Sequence, residues 1–108
     1  MIVEQRTYDF QPGSLPRFFK LYAETGAREV QMRILGNLIG YFSTEIGELN
    51  QTVHMWGYES LNDRAERRAK LMADPVFMDF LRQVVPLIIR QQSKILLPLN
   101  FSPIGGAG

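Results

Sequence analysis

The sequence predicts an α+β fold in which one four-stranded antiparallel sheet carries its helices on one side. Three observations predict it. Four segments have strand composition and are bounded by Gly, Pro or Asn breakers, and the stretches between them place apolar residues at helical spacing. No repeat, linker or low-complexity block interrupts the 108 residues. A chain of this length is one domain that buries roughly two-thirds of the surface its unfolded state exposes, so a single core can hold it.

Residues 2–10 are rich in Ile, Val, Thr, Tyr and Phe and end at Gln11-Pro12-Gly13, a strand closed by a breaker pair. Ser14 is placed as a helix N-cap with Pro16 in the first turn. Leu15, Phe18, Phe19, Tyr22, Gly26 and Val30 then predict one amphipathic helix over about residues 15–33. Gly26 weakens that helix by about 1 kcal/mol relative to alanine, so a kink or a close backbone contact is expected there. Gly36 ends it. Residues 38–46 and 51–59 read as two strands around the turn Gly47-Glu48-Leu49-Asn50.

Ser60 and Asp63 form an imperfect capping box. Behind it runs an apolar stripe of Leu61, Ala65, Ala69 and Met72, with Arg64, Glu66, Arg67, Arg68 and Lys70 opposite, and with Asp63–Arg67 and Glu66–Lys70 at the favourable spacing for ion pairs. Asp74-Pro75 starts a further helix with Phe77, Met78, Leu81 and Val85 facing inward. Pro86 stops it, and residues 90–98 form the last strand. The string is βαββααβ, the ferredoxin-like arrangement with its second helix broken. The domain is placed at residues 1–100 and a C-terminal tail at 101–108.

Composition removes several function classes. There are no cysteines, which excludes disulfides, thiolate metal sites and cysteine nucleophiles. Twelve basic against 11 acidic residues give a net charge of +1, too balanced for an electrostatic nucleic-acid binder. The longest apolar runs, Pro86–Ile89 and Ile95–Leu99, are too short to insert across a bilayer, and the opening MIVEQRTYDF reads as neither signal nor transit peptide. The expectation is a cytoplasmic protein.

The strands look apolar on both faces. Leu38, Phe42 and Ile46 lie opposite Ile39 and Tyr41. Val53 and Met55 lie opposite His54, Trp56 and Tyr58, and Ile95 and Leu97 opposite Leu96 and Pro98. Helices can cover only one face, so the other is expected to pack against a second copy in a symmetric homodimer.

The opening MIVEQRTY, the central LIGYFSTEIGELNQTVHMWGYES, the helical RAERRAKLMADPVFMDF and the closing QQSKILLPLNFSPI together resemble the NIPSNAP family across roughly residues 1–104. The resemblance implies a dimeric α+β barrel, a fold whose members include cofactor-independent monooxygenases, lactone isomerases, haem enzymes and stress-responsive dimers. Eukaryotic NIPSNAP members are mitochondrial and tied to protein partners. The family supplies no established catalytic residues to carry over.

The candidate chemistry centres on His54, the only histidine, on one strand face with Trp56 and Tyr58. It reads as a general base or a proximal haem ligand, or as a histidine at the edge of the core with one hydrogen bond to the backbone. Glu4, Arg6 and Tyr8 alternate along the first strand. In the functional reading Arg6 holds an anionic group, Tyr8 or Tyr58 donates a proton and Trp56 stacks on a ring. In the plainer one Glu4 and Arg6 pair at the dimer seam. Tyr41 adds a further candidate ligand contact, sharing its face with Glu45. The Arg64–Lys70 cluster reads as a phosphate grip or, more simply, a solvated face. No cofactor and no metal site is expected. Two functions follow: a homodimeric domain that binds a small ligand or a protein partner, or a cofactor-independent enzyme acting on a small aromatic or lactone-type compound.

Overall fold

A computed structural model describes all residues, Met1–Gly108. Strand β1 (Ile2–Phe10) is followed by α1 (Leu15–Glu24), α2 (Ala27–Leu35), β2 (Asn37–Ser43) and β3 (Gln51–Tyr58). Then come α3 (Leu61–Ala73), α4 (Pro75–Val84), a 3-10 turn at Val85–Leu87 that holds Pro86, and β4 (Ile88–Leu96). The sheet order is β2-β3-β1-β4 with every pair antiparallel, which is the ferredoxin-like topology predicted. The core lies between sheet and helices, where Phe10, Phe18, Tyr22, Trp56, Leu71, Phe77, Phe80 and Val84 are buried.

Where the sequence suggested one helix over residues 15–33, there are two. Gly26 takes a left-handed φ of 87°, and Thr25 turns its hydroxyl back onto the carbonyl of Leu21 at 2.6 Å, closing α1. Ser14 does not cap α1 through its side chain but donates instead to the carbonyl of Gln11 at 2.7 Å. Ser60 does cap, accepting from the backbone N–H of Asp63 at 3.1 Å, and Asp74 accepts from that of Phe77 at 3.0 Å.

Strand β2 ends at Ser43 rather than residue 46, and a bulge at Ile39 shifts its register. Leu38 pairs with Trp56, Gly40 with Met55 and Tyr41 with His54. The bulge puts Leu38 and Tyr41 together on the helix side, whereas simple alternation had separated them. The last strand likewise runs over residues 88–96, not 90–98.

Helix α3 docks with the opposite face to the one its apolar stripe suggested. Leu61, Ala65, Ala69 and Met72 are exposed, Arg64 and Arg68 turn toward the sheet, Leu71 is buried, and Arg67 reaches the end of α2. The reason lies beneath: the sheet surface under α3 carries the buried Glu4, so the cationic face is the complementary one. The Asp63–Arg67 pair forms at 2.8 Å, while Glu66 and Lys70 do not close to ion-pair distance. In α4 the buried residues are Phe77, Phe80 and Val84, and Val85 is exposed.

The outer sheet face is apolar only in part. Val3, Ile39, Phe42, Val53 and Met55 form an apolar half toward β2 and β3. Gln5, Thr7, Asp9, Arg90, Gln92 and Lys94 make the other half polar. The tail completes the apolar half: with Leu97, Leu99, Phe101 and Ile104 it borders an open groove of about 440 Å³ over Val3, Ile39 and Met55. Phe101 is 78% exposed there.

Candidate functional site

The register of β1 on β3 decides how the candidate residues meet. Glu4 lies opposite Trp56, Arg6 opposite His54 and Tyr8 opposite Thr52, so the two ladders share the helix-covered face. Tyr41 joins them from β2, and Ser93 and Gln91 from β4.

His54 is 1% exposed. Its Nδ1 accepts the indole N–H of Trp56 at 2.8 Å, its ring stacks on Tyr41 with centroids 4.4 Å apart, and Tyr8 meets it in a T-shaped arrangement with centroids 5.1 Å apart. Burial, then the charge of Arg6, pull its pKa down to about 3. At neutral pH the ring is therefore uncharged, and with Nδ1 accepting, its hydrogen resides on Nε2. That N–H has no partner in the protein; the hydroxyls of Thr52 and Tyr58 are likewise buried without one. A neutral imidazole of this kind is a poor base and a competent hydrogen-bond donor to developing negative charge. Its one bond goes to a side chain, not to the backbone group expected.

Glu4 is fully buried and is held by four bonds. Arg64 donates through Nε at 3.0 Å and Nη2 at 2.8 Å, Arg6 through Nη1 at 3.0 Å and Ser93 through Oγ at 2.6 Å. Burial alone would raise its pKa, but Arg64, Ser93 and Arg6 outweigh it and hold the carboxylate at about 2. The Glu4–Arg6 pair is thus internal to the subunit and ties β1 to α3 and β4. It does not sit on the outer face where a dimer seam would run. Arg6 also donates through Nε to Tyr8 Oη at 2.9 Å.

Two cavities on the helix side are bordered by Tyr41. One, of about 40 Å³, is lined by Tyr8, Gln31, Tyr41, His54, Phe80 and Gln91 among others. The second, of about 440 Å³, opens between α1, α2 and β2 over Phe19, Tyr22, Ala23, Arg28, Met32, Leu38 and Tyr41. Tyr22 and Tyr41 border both and form the wall between them. Tyr22 donates to Gln31 Oε1, and burial raises the pKa of Tyr22 and Tyr41, so both phenols keep their protons. Trp56 is fully enclosed between Glu4, Leu38 and His54 and borders neither cavity, nor does Arg6. Tyr58 stands at the far end of the ladder, its pKa pushed up to about 12 by burial. Sequence reasoning did not find Tyr22, Gln31 or Met32 as pocket residues. Only the bulge in β2 and the break at Gly26 bring them to Tyr41.

The NIPSNAP family model matches residues 3–103 of this geometry's chain. The chain belongs to the NIPSNAP family. It is 33% identical over 106 residues to the human NipSnap homolog 3A, covering 95% of this chain and 41% of that protein. It is 34% identical over 104 residues to the Drosophila melanogaster NipSnap protein, covering 94% and 36%. The NIPSNAP domain here thus spans well under half the length of these curated relatives. Among solved structures, a NIPSNAP family protein of Agrobacterium tumefaciens is 50% identical with a TM-score of 0.90, covering 95% of this chain and 97% of its own. A NIPSNAP-like domain protein of Burkholderia xenovorans is 50% identical with a TM-score of 0.88, covering 94% and 88%. An antibiotic biosynthesis monooxygenase superposes with a TM-score of 0.62 at 10% identity over 92% and 99% of the two chains, a likeness of fold alone. No helix is long and apolar enough to cross a membrane.

Proposed function

We propose that this NIPSNAP domain is a homodimeric binding module that receives a small, largely apolar or aromatic molecule in the pocket between α1, α2 and β2. The observation that carries the reading is the pocket itself. It has about 440 Å³ of space, and six of its seven lining residues are hydrophobic, the seventh being Arg28 at its rim. Homodimerisation rests on separate ground: the apolar half of the outer sheet and the exposed apolar tail are continuous, and a second copy covers such a patch with the same patch of its own.

An aromatic probe of naphthalene size should give saturable NMR shift changes at Tyr22, Met32 and Tyr41. Ala23→Trp, which fills the pocket from α1, should abolish them. Shift changes confined to Leu97–Ile104 would refute the assignment.

The second reading, a cofactor-independent enzyme, is favoured by one observation: the buried, unpartnered Nε2–H of His54 beside Tyr8 and Tyr41. There His54 would donate to an enolate or similar oxyanion, and Tyr41 would have to swing aside, since about 40 Å³ admits roughly one water and no substrate. A substrate turned over by wild-type protein and equally well by His54→Ala would end this reading.

A further inference from the structure

Three arginines and one carboxylate meet where α3 crosses β1, and one arginine is left over. Arg64, on the sheet-facing side of α3, has Glu4 as partner, and Arg67, turned toward α2, has Asp63 and the carbonyl of Ile34. Arg68, one turn beyond Arg64, is partly buried and makes no ion pair or hydrogen bond; burial and the like charges of Arg6 and Arg64 outweigh the attraction of Glu4 and disfavour its charge. Glu4 does not serve it. Its carboxylate takes three bonds on Oε2, from Arg64, Arg6 and Ser93, and one on Oε1, again from Arg64, and none from Arg68.

The groups around Arg68 are short of acceptors. Arg6 spends Nε on Tyr8 and Nη1 on Glu4, which leaves Nη2 free. The Tyr8 hydroxyl accepts from Arg6 and its own hydrogen has no acceptor. Beside them β4 is uncovered: Gln91 and Ser93, in register with Tyr8 and Arg6, are both exposed, which gives solvent access to this side of the sheet. Donors outnumber acceptors, positive charge exceeds negative, and the surplus guanidinium is partly withdrawn from water.

We propose that Arg68 and Arg6 form a binding site for a small oxyanion, a carboxylate or phosphate group, on the helix side of β1 and β4. The arginine fork suits either group through two parallel hydrogen bonds. The site is separate from the apolar pocket and does not depend on it. It also explains why the cationic face of α3 docks inward with one more arginine than Glu4 binds.

The test is thermal unfolding and titration calorimetry of the full chain with inorganic phosphate and, separately, acetate, at constant ionic strength. Wild-type protein should bind at least one of the two saturably with a rise in Tm, and which one responds identifies the anion class. Arg68→Gln should weaken that binding by at least about tenfold, the loss expected for a charged hydrogen-bonded pair. Arg68→Lys should retain part of it. Arg82→Gln, on the exposed side of α4, should change nothing. Without anion, Arg68→Gln should melt at or above the wild-type temperature, because it removes a repelled charge. Absence of any response in wild type, full binding in Arg68→Gln, or a lower Tm for that variant without anion would overturn the proposal. The same Arg68→Gln protein should still bind the aromatic probe at Tyr41, which separates failure of this site from failure of the pocket.

Discussion

Trp56 donates its indole N–H to Nδ1 of His54 at 2.8 Å, from two residues further along the same strand, and so fixes which ring nitrogen of the only histidine carries hydrogen. The bond makes His54 a donor at Nε2 and leaves it little use as a base. Nitrogen-detected NMR should find a single neutral Nε2–H tautomer that does not titrate between pH 8 and 5. Trp56→Phe should cost about 1–3 kcal/mol by orphaning the buried Nδ1.

The same histidine makes the protein acid-labile in a defined window. Its folded pKa of about 3 lies below the ordinary 6.5, so the unfolded chain takes up a proton that the folded one refuses. Stability is full above 6.5 and falls as the pH drops toward 3, by about 2 kcal/mol at pH 5. Urea unfolding followed by Trp56 fluorescence at pH 7, 6 and 5 measures this. His54→Gln, whose amide oxygen can still accept from Trp56, should flatten the slope.

Glu4 acts lower on the scale. Its folded value of about 2 lies below the ordinary 4.5, so its contribution is present above 4.5 and is lost as the pH falls toward 2. At neutral pH, Glu4→Gln would leave Arg6, Arg64 and Arg68 facing one another without a counter-charge. We expect a loss of about 3–5 kcal/mol in urea unfolding, the cost of breaking a buried ion cluster from one side. A loss below 1 kcal/mol would show that the cluster is not the tie between α3 and the sheet.

Gly26 separates α1 from α2 at a φ of 87°, and a Cβ there would meet nothing closer than Val76 at 3.7 Å. The cost of Gly26→Ala is therefore conformational and not steric, about 1–2 kcal/mol. Circular dichroism should register unchanged helix content with a lowered urea midpoint.

The ferredoxin-like order was legible because each strand and helix carries its own local signals: Gln11-Pro12-Gly13, Gly36, Ser60 and Asp74-Pro75 all stand at boundaries. What the sequence hid were departures from strict period. One extra residue at Ile39 moves Leu38 to the side of Tyr41, and no composition signal marks it. The inward face of α3 was hidden for another reason: an apolar stripe of Leu61, Ala65, Ala69 and Met72 normally points to a core, but here a buried glutamate on a strand 60 residues away outweighs it. The meeting of Arg6 with His54 depended on the register of β1 against β3, which local pattern does not specify. The outer face read as apolar throughout because the polar residues of β1 and β4 lie in one half of it.

That outer face carries the central claim, and molar mass in solution tests it most directly. Light scattering at micromolar concentration should give twice the 12.4 kDa of the chain, and Phe101→Asp in the exposed tail should shift the mass toward that of one chain. A wild-type mass of 12.4 kDa across the same range would contradict the account.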